Sequence, residues 1–207
     1  MRIKAIILDL DNTIYPVISI GNKLFHSLFS LIAGSGSYRG ELNEIKSAIM
    51  RRPFQMVAND FDFSENLKAA CLSLLSDLTY EEKIEPFDGY ECLREIPCKK
   101  YLVTTGFIQL QQSKIKQLNI EKDFEGIFII DPGKSTLIKK DIFIQILNDH
   151  HYKTDEVLVV GDDMDSEIKA AKELNTDTVL YNHTDKNHRL ENQQTINNFK
   201  DLNLYIK

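Results

Sequence analysis

Two aspartates one residue apart, Asp9 and Asp11, close an apolar run near the start of the chain, Ile6-Ile7-Leu8-Asp9-Leu10-Asp11-Asn12-Thr13-Ile14-Tyr15. Ala5 to Leu8 is short and apolar throughout, the pattern of a strand buried on both faces. Residues two apart on a strand share a side, and in an open parallel sheet ligands bind outside the carboxyl ends of the strands, so both acids face one small volume. Carboxylates held that close repel, and the repulsion is relieved by a cation between them or by a retained proton. Asp and Asn also make turns and cap helices, so the pair gains weight only if other chemistry-bearing residues converge on it.

Further strand ends supply such residues. Tyr101 to Thr104 reads as a strand running into Thr104-Thr105-Gly106, Ile127 to Ile130 as another ending before Asp131, and Val157 to Val160 as a third ending in Gly161-Asp162-Asp163-Met164-Asp165-Ser166-Glu167. Helical spacing fills the gaps at Ile108 to Leu118, Ile138 to Leu147 and Ser166 to Leu174, and Thr178 to Tyr181 reads as an edge-like strand. This alternation is that of an α/β fold, a Rossmann-like doubly wound parallel sheet with helices on both faces. Right-handed crossovers then bring the strands' carboxyl ends to one edge. The Thr104 hydroxyl and the free amides after it, at Thr105 and Gly106, suit a phosphoryl oxygen, because the first amides of a helix lack intrahelical partners.

Between the first strand and this alternation the pattern is helical. Leu24, Phe25, Leu28, Phe29 and Ile32 predict one helix ending near Gly34; Leu42, Ile45 and Ile49 predict a second over Glu41 to Arg52, stopped by Pro53. Ser64 reads as the N-cap of a third, carried by Leu67, Cys71, Leu74 and Leu78. Residues 17–85 thus read as a helical cap inserted into a catalytic core of residues 1–16 and 86–207, with Glu85 to Gly89 as the return linker. The tail from Asn182 to Asn198 is polar, although Ile196, Phe199, Leu202 and Leu204 offer apolar anchors, and the five histidines, His150-His151 among them, read as solvated.

The 207 residues carry a net charge of −6 with no basic block longer than a pair, which argues against a nucleic-acid partner. Three cysteines, Cys71, Cys92 and Cys98, without paired or Cys/His ligand spacing indicate neither a disulfide framework nor zinc and fit a reducing cytoplasm. No apolar run approaches membrane-spanning length, and a soluble protein without a membrane partner is expected.

The string Asp9-Leu10-Asp11-Asn12-Thr13 after an apolar strand, Leu102-Val103-Thr104-Thr105-Gly106, Lys139-Lys140-Asp141-Ile142-Phe143 and Gly161-Asp162 with nearby acids occur in the order of, and resemble, the four motifs of the haloacid dehalogenase superfamily of aspartate-nucleophile phosphohydrolases. The resemblance covers Ile3 to Tyr181 and does not identify the insert. It implies Asp9 as the nucleophile, Asp11 as general acid and then base, Thr104 as the hydroxyl donor, with Thr105 and Gly106 beside the phosphoryl group, and Lys139 as the neutralising lysine in preference to Lys134 and Lys140. It implies Mg²⁺ held by Asp9, the backbone carbonyl of Asp11 and Asp162, with Thr13 supporting the loop. The sequence departs from the pattern where Thr105 replaces a usual Asn, the frequent Lys-Pro is absent, and Glu167 stands for the more common Asp; Asp163 and Asp165 are extra acids. The implied activity is hydrolysis of a small phosphorylated metabolite, a sugar phosphate, nucleotide or phosphoglycolate-like acid, with Arg39, Arg51 and Arg52 of the cap available to a second anionic group. Two alternatives stand beside it: a carbon-halogen dehalogenase, whose branch lacks the acid at Asp11, and a receiver-like phosphate-binding protein, in which Asp131 would mimic the phosphoacceptor.

Overall fold

A computed structural model of the chain describes residues 2–182 and 193–206. Strand β1 (Ala5–Leu8) lies between β2 (Lys99–Thr105) and β4 (Val157–Gly161); β3 (Gly126–Ile130) flanks β2, and β5 (Asp177–Tyr181) and β6 (Thr195–Ile196) complete the order β3-β2-β1-β4-β5-β6. All five pairings are parallel, with Leu8 opposite both Leu102 and Val160. This is the doubly wound Rossmann-like order, in which the sense of winding reverses beside β1 and a crevice opens at the carboxyl edge.

Strand alternation divides the core. Ile6 and Leu8 project into an apolar cluster shared with Leu93 of α6 (Tyr90–Glu95) and with Leu110 and Ile115 of α7 (Ile108–Leu118). Ala5 and Ile7 project the other way, against Ile142, Phe143 and Ile146 of α8 (Lys139–Asp149) and Ala170 and Ala171 of α9 (Glu167–Glu173). With both faces covered, a strand must be apolar at every position, which is why β1 and β4 read as unbroken apolar runs.

Residues 17–85 carry five helices and no strand: α1 (Ile18–Leu24), α2 (His26–Ser35), α3 (Leu42–Ile49), α4 (Phe54–Asp60) and α5 (Glu65–Ser76). Their apolar residues, among them Leu28, Ile32, Ile45, Val57 and Cys71, belong to the same cluster as Ile6 and Leu8. The single helix expected through Ile32 is two, broken at Phe25 (φ −95°, ψ 13°); apolar spacing continues across the break and hides it. The second expected helix ends at Ile49 rather than Arg52, and Pro53, read as a stop, also starts α4, since a helix start tolerates the missing N–H of proline. The Ser64 side chain accepts from Leu67 N at 3.3 Å, the N-cap expected of it.

Two more differences concern the end of the chain. β5, expected at an edge, is covered by β6, and the 3₁₀ turn Phe199–Leu204 buries Phe199 and Leu202, with Phe199 stacked on Tyr181 at 4.8 Å. Leu204 stays exposed. Residues 183–192 of the polar tail, with His183 and His188, lie outside the described residues. All three cysteines are free thiols. Among the described residues no helix is long and apolar enough to cross a membrane.

Candidate active site

The register of β1, β2 and β4 sets Leu8 beside Leu102 and Val160, so Asp9, Thr104 and Asp162 follow within two residues of that level at the carboxyl edge, with the Asp9 amide donating to Val160 O at 3.1 Å. Past Asp9 the chain turns sharply at Asn12, whose φ of 58° is one that Asn tolerates better than most residues. The Asn12 amide then fixes the entry to the helices, its Oδ1 accepting from Val17 N at 3.1 Å and its Nδ2 donating to Met50 O at 3.4 Å. Asp11 is thereby carried back to face the same cleft as Asp9.

One end of the cleft is a buried charge cluster. Lys139 Nζ donates to Asp9 Oδ1 at 2.7 Å and to Glu167 Oε2 at 2.6 Å, while Asp163 N donates to Glu167 Oε1 at 2.8 Å. Glu167 fits there only because position 161 is glycine: a Cβ would meet Glu167 Oε1 at 2.1 Å. Asp9, Asp162 and Glu167 each bring a carboxylate oxygen within 4.8 Å of the others. Both Glu167 oxygens are already committed, whereas among the described residues Asp162 has only a long contact, Thr13 Oγ1 at 3.5 Å. Burial, only partly offset by Lys139, and the charge of Glu167 push Asp9 up to about 7; burial and the charges of Asp9 and Glu167 push Asp162 up to about 8. Burial disfavours the Lys139 ammonium, but Asp9 and Glu167 outweigh it and raise its pKa. Two carboxylates made reluctant to ionise by each other and by burial, in a shell of hard oxygen donors, fit a divalent cation such as Mg²⁺ at Asp9 and Asp162.

Asp11 sits in a different environment. Lys114 Nζ donates to both its oxygens, at 2.9 and 3.0 Å, Tyr15 Oη donates at 2.5 Å and Gln111 Nε2 at 3.0 Å. Burial alone would raise the Asp11 pKa, but the Lys114 charge and these hydrogen bonds win and hold it below the ordinary value, while burial and Asp11 push the Tyr15 hydroxyl well up. The donors also set the direction of the network. Lys114 can only donate, so Gln111 Oε1, 2.8 Å away, is its acceptor; Gln111 Nε2 is then the donor to Thr104 Oγ1 at 2.7 Å. Thr104 accepts from Gln111, so its own proton is left without an acceptor among the described residues and is available to a ligand in the cavity that Thr104 lines.

The structure thus brings Asp9, Asp11, Thr104, Thr105, Gly106, Lys139 and Asp162 around one cavity. Lys140 is turned away to Glu173 at 2.8 Å, and Lys134 lies 3.9 Å from Asp131. Asp131 accepts from Gly133 N at 2.9 Å and builds a turn. Asp163 Oδ1 accepts from Asp165 N at 2.8 Å, so these two acids shape the loop after β4. Of the arginines in residues 17–85, Arg51 and Arg52 line the cavity, Arg52 paired with Asp60 at 2.6 Å, whereas Arg39 is paired with Asp62 at 3.1 Å on an exposed surface away from the lining. Sequence reasoning missed Gln111 and Lys114. Their only trace is an i, i+3 polar pair on a helix whose Leu110, Ile115 and Leu118 mark the core side.

The profile of the haloacid dehalogenase-like hydrolases matches residues 3–175 of the chain. No curated protein matches it by sequence. Among solved structures, a haloacid dehalogenase-like family hydrolase from Streptococcus pneumoniae is 20% identical, with a TM-score of 0.67 over 88% of this chain and 86% of that one. A hydrolase of the same type from Bacillus subtilis, solved with bound magnesium, is 16% identical, with a TM-score of 0.67 over the whole of both chains. An L-2-haloacid dehalogenase from Xanthobacter autotrophicus is 15% identical, with a TM-score of 0.53 over 89% of this chain and 79% of that one. At these identities the neighbours share the fold, and the family follows from the profile, whose residues 3–175 include all four motifs: the chain is a haloacid dehalogenase-like hydrolase.

Proposed function

We propose that the chain is a Mg²⁺-dependent phosphomonoester hydrolase working through an aspartyl-phosphate on Asp9, with residues 17–85 acting as its cap. The observation that carries this reading is the position of Asp11. A second carboxylate shares the cleft with Asp9, beside a cluster of acids suited to a hard cation, and the dehalogenase branch that shares the fold lacks an acid at that place. The magnesium bound by the Bacillus subtilis hydrolase is in keeping with it. Against a receiver-like role, Asp131 is spent on a turn.

Asp9 and Asp162, with the main-chain carbonyl of Asp11, would hold Mg²⁺, which when bound screens the acids from the phosphate dianion and polarises the phosphoryl oxygens. An Asp9 carboxylate oxygen attacks phosphorus as the bond from phosphorus to the leaving oxygen breaks. Lys139, held by Glu167, and the free Thr104 proton stabilise the phosphoryl charge, with Thr105 and Gly106 beside it. Asp11 delivers a proton to the leaving oxygen and takes one from the water that cleaves the aspartyl-phosphate. In the structure Asp11 is held as the anion, the form needed for the second step, so the proton it delivers in the first has to be taken up from solvent before the ester bond breaks.

Substitutions at the two acids separate their roles. Asp9→Asn removes the attacking carboxylate and all turnover. Asp11→Asn costs about 10² to 10⁴ in first-step rate with alkyl phosphates and less with p-nitrophenyl phosphate, whose leaving group needs little protonation. Single-turnover rates that fall equally on both esters would remove Asp11 from proton transfer, and turnover by Asp9→Asn would overturn the mechanism.

A further inference from the structure

One amide separates the two groups that would act on the ester. Gln111 places its Nε2 between Asp11 Oδ2 at 3.0 Å and Thr104 Oγ1 at 2.7 Å, and its Oε1 accepts from Lys114 Nζ at 2.8 Å. The amide can face only one way. Turned over, its oxygen would meet the Asp11 carboxylate and its nitrogen the Lys114 ammonium, acceptor against acceptor and donor against donor. Gln111 and Thr104 are each 1% exposed, so bulk water does not compete for these contacts, and Thr104 Oγ1 has no other hydrogen bond among the described residues.

The loop after β2 leaves room for this side chain. A Cβ on Gly106 would lie 3.0 Å from Gln111 Cδ and 3.1 Å from its Cγ, closer than side chains ordinarily approach. Gln111 is pinned at both ends of its amide and cannot move aside without stretching those bonds. The φ of Gly106 lies outside the left-handed region, so the turn itself does not demand glycine; the space taken by Gln111 does.

Resting on the phosphatase reading above, we infer that Gln111 is a positioning residue for phosphoryl transfer: by donating to Thr104 it stands between that hydroxyl and Asp11 and reserves the Thr104 proton for the phosphoryl oxygens. Asp11 depends on Gln111 less, since Lys114 and Tyr15 supply the other three of its four side-chain hydrogen bonds among the described residues. Without Gln111 the Thr104 hydroxyl turns among three staggered positions, and the Asp11 carboxylate beyond the vacated amide competes for its proton.

A double-mutant cycle tests this. Wild type, Gln111→Met, Thr104→Val and the double variant, each loaded with Mg²⁺, are titrated calorimetrically with orthovanadate, which takes up the five-coordinate shape of a phosphoryl group in transfer. Their kcat with p-nitrophenyl phosphate is measured alongside. Thr104→Val is expected to weaken orthovanadate binding and kcat by about 10²-fold, the value of one donor aimed at developing charge. Gln111→Met is expected to cost about 3- to 10-fold while the hydroxyl is present, the smaller figure being the loss of one staggered position in three. Once Thr104→Val has removed the hydroxyl, the same change should cost less than about twofold. In a Thr104→Ser background, which keeps the hydroxyl, the full cost of Gln111→Met returns. A role in packing alone would lower Tm in every background and leave the losses of affinity additive. Additive losses, or no loss from Gln111→Met, would overturn the inference and leave the phosphatase reading standing. No hydrolysis by the wild type, with non-additive losses of orthovanadate affinity, would overturn the phosphatase reading and uphold the role of Gln111. Absence of both hydrolysis and orthovanadate binding would overturn both. Should Gln111→Met fail to fold, Gly106→Ala, which displaces Gln111 from the other side, takes its place in the cycle with the same expectations.

Discussion

The proposed magnesium site at Asp9 and Asp162 predicts binding that depends steeply on pH, because the cation has to displace protons from two reluctant acids. With Asp9 at about 7 and Asp162 at about 8, at pH 6 roughly one Asp9 in ten and one Asp162 in a hundred is ionised, whereas at pH 9 both are largely ionised. Since only ionised carboxylates bind the metal, affinity should weaken by about 10² to 10³ between pH 9 and pH 6, the lower figure applying if the two acids share one proton. At a magnesium concentration about 100 times the dissociation constant at pH 9, binding stabilises the folded state by about 2.7 kcal/mol. For a chain of 207 residues that raises Tm by roughly 5–11 °C. At pH 6 the same concentration is at or below the weakened constant, and the gain falls to about 0.4 kcal/mol or less, roughly 1 °C. Without metal the trend reverses. Acids whose folded pKa lies above the unfolded value retain protons that the unfolded chain has lost, so between about pH 4 and pH 8 these two groups make the protein less stable as pH rises. Differential scanning calorimetry with and without magnesium at pH 6, 7, 8 and 9 measures both trends, and Asp162→Asn should flatten the magnesium effect. A magnesium shift of equal size at every pH, or one that survives Asp162→Asn, would refute the assignment of the cation to these two acids.

Lys114→Met strands the Asp11 carboxylate beside its remaining neutral donors and should cost about 2–3 kcal/mol, at or just below the range for a broken buried pair because Asp11 keeps some solvent contact. Urea unfolding should give a smaller loss for Lys114→Met in an Asp11→Asn background, and additive losses would deny the pairing. Gly161→Ala puts a methyl where Glu167 lies, so Glu167 must swing out and release Lys139; about 1–3 kcal/mol of stability should be lost. Its activity should fall with it, and a crystal structure with Glu167 unmoved would contradict the steric argument. Ser64→Ala removes the N-cap of α5 and should lower unfolding free energy by about 1 kcal/mol with kcat unaffected, since Ser64 lies outside the cavity; a tenfold fall in kcat would indicate that α5 communicates with the site.

The strand ends were legible in the sequence because a strand covered on both faces has to be apolar at every position, so β1 and β4 stand out as unbroken runs and the first polar residue after each marks the carboxyl edge of the sheet. Parallel pairing then brings Asp9, Thr104 and Asp162 to one place whatever the details of the loops. The helical nature of residues 17–85 was legible for a similar reason, since one face of each helix must bury its apolar residues at fixed spacing. What lay out of reach depends on contacts between residues far apart in the chain. Lys114 meets Asp11 across 103 positions, and nothing in the local pattern of α7 distinguishes that lysine from a solvated one. The break at Phe25 was hidden by apolar spacing that runs through it, and β6 is two residues long, too short to show any periodicity. Glu167 became part of the Lys139 cluster only through the space left by Gly161 at the end of β4. The cavity beside Asp9 belongs to no single segment: Phe25, Ile49, Phe54, Leu75 and Leu110, which line it together with the acids, are ordinary core residues of five different stretches, and only their packing leaves the space between them. Sequence patterns record which residues must be buried, whereas the empty space between them is set by how the buried faces meet.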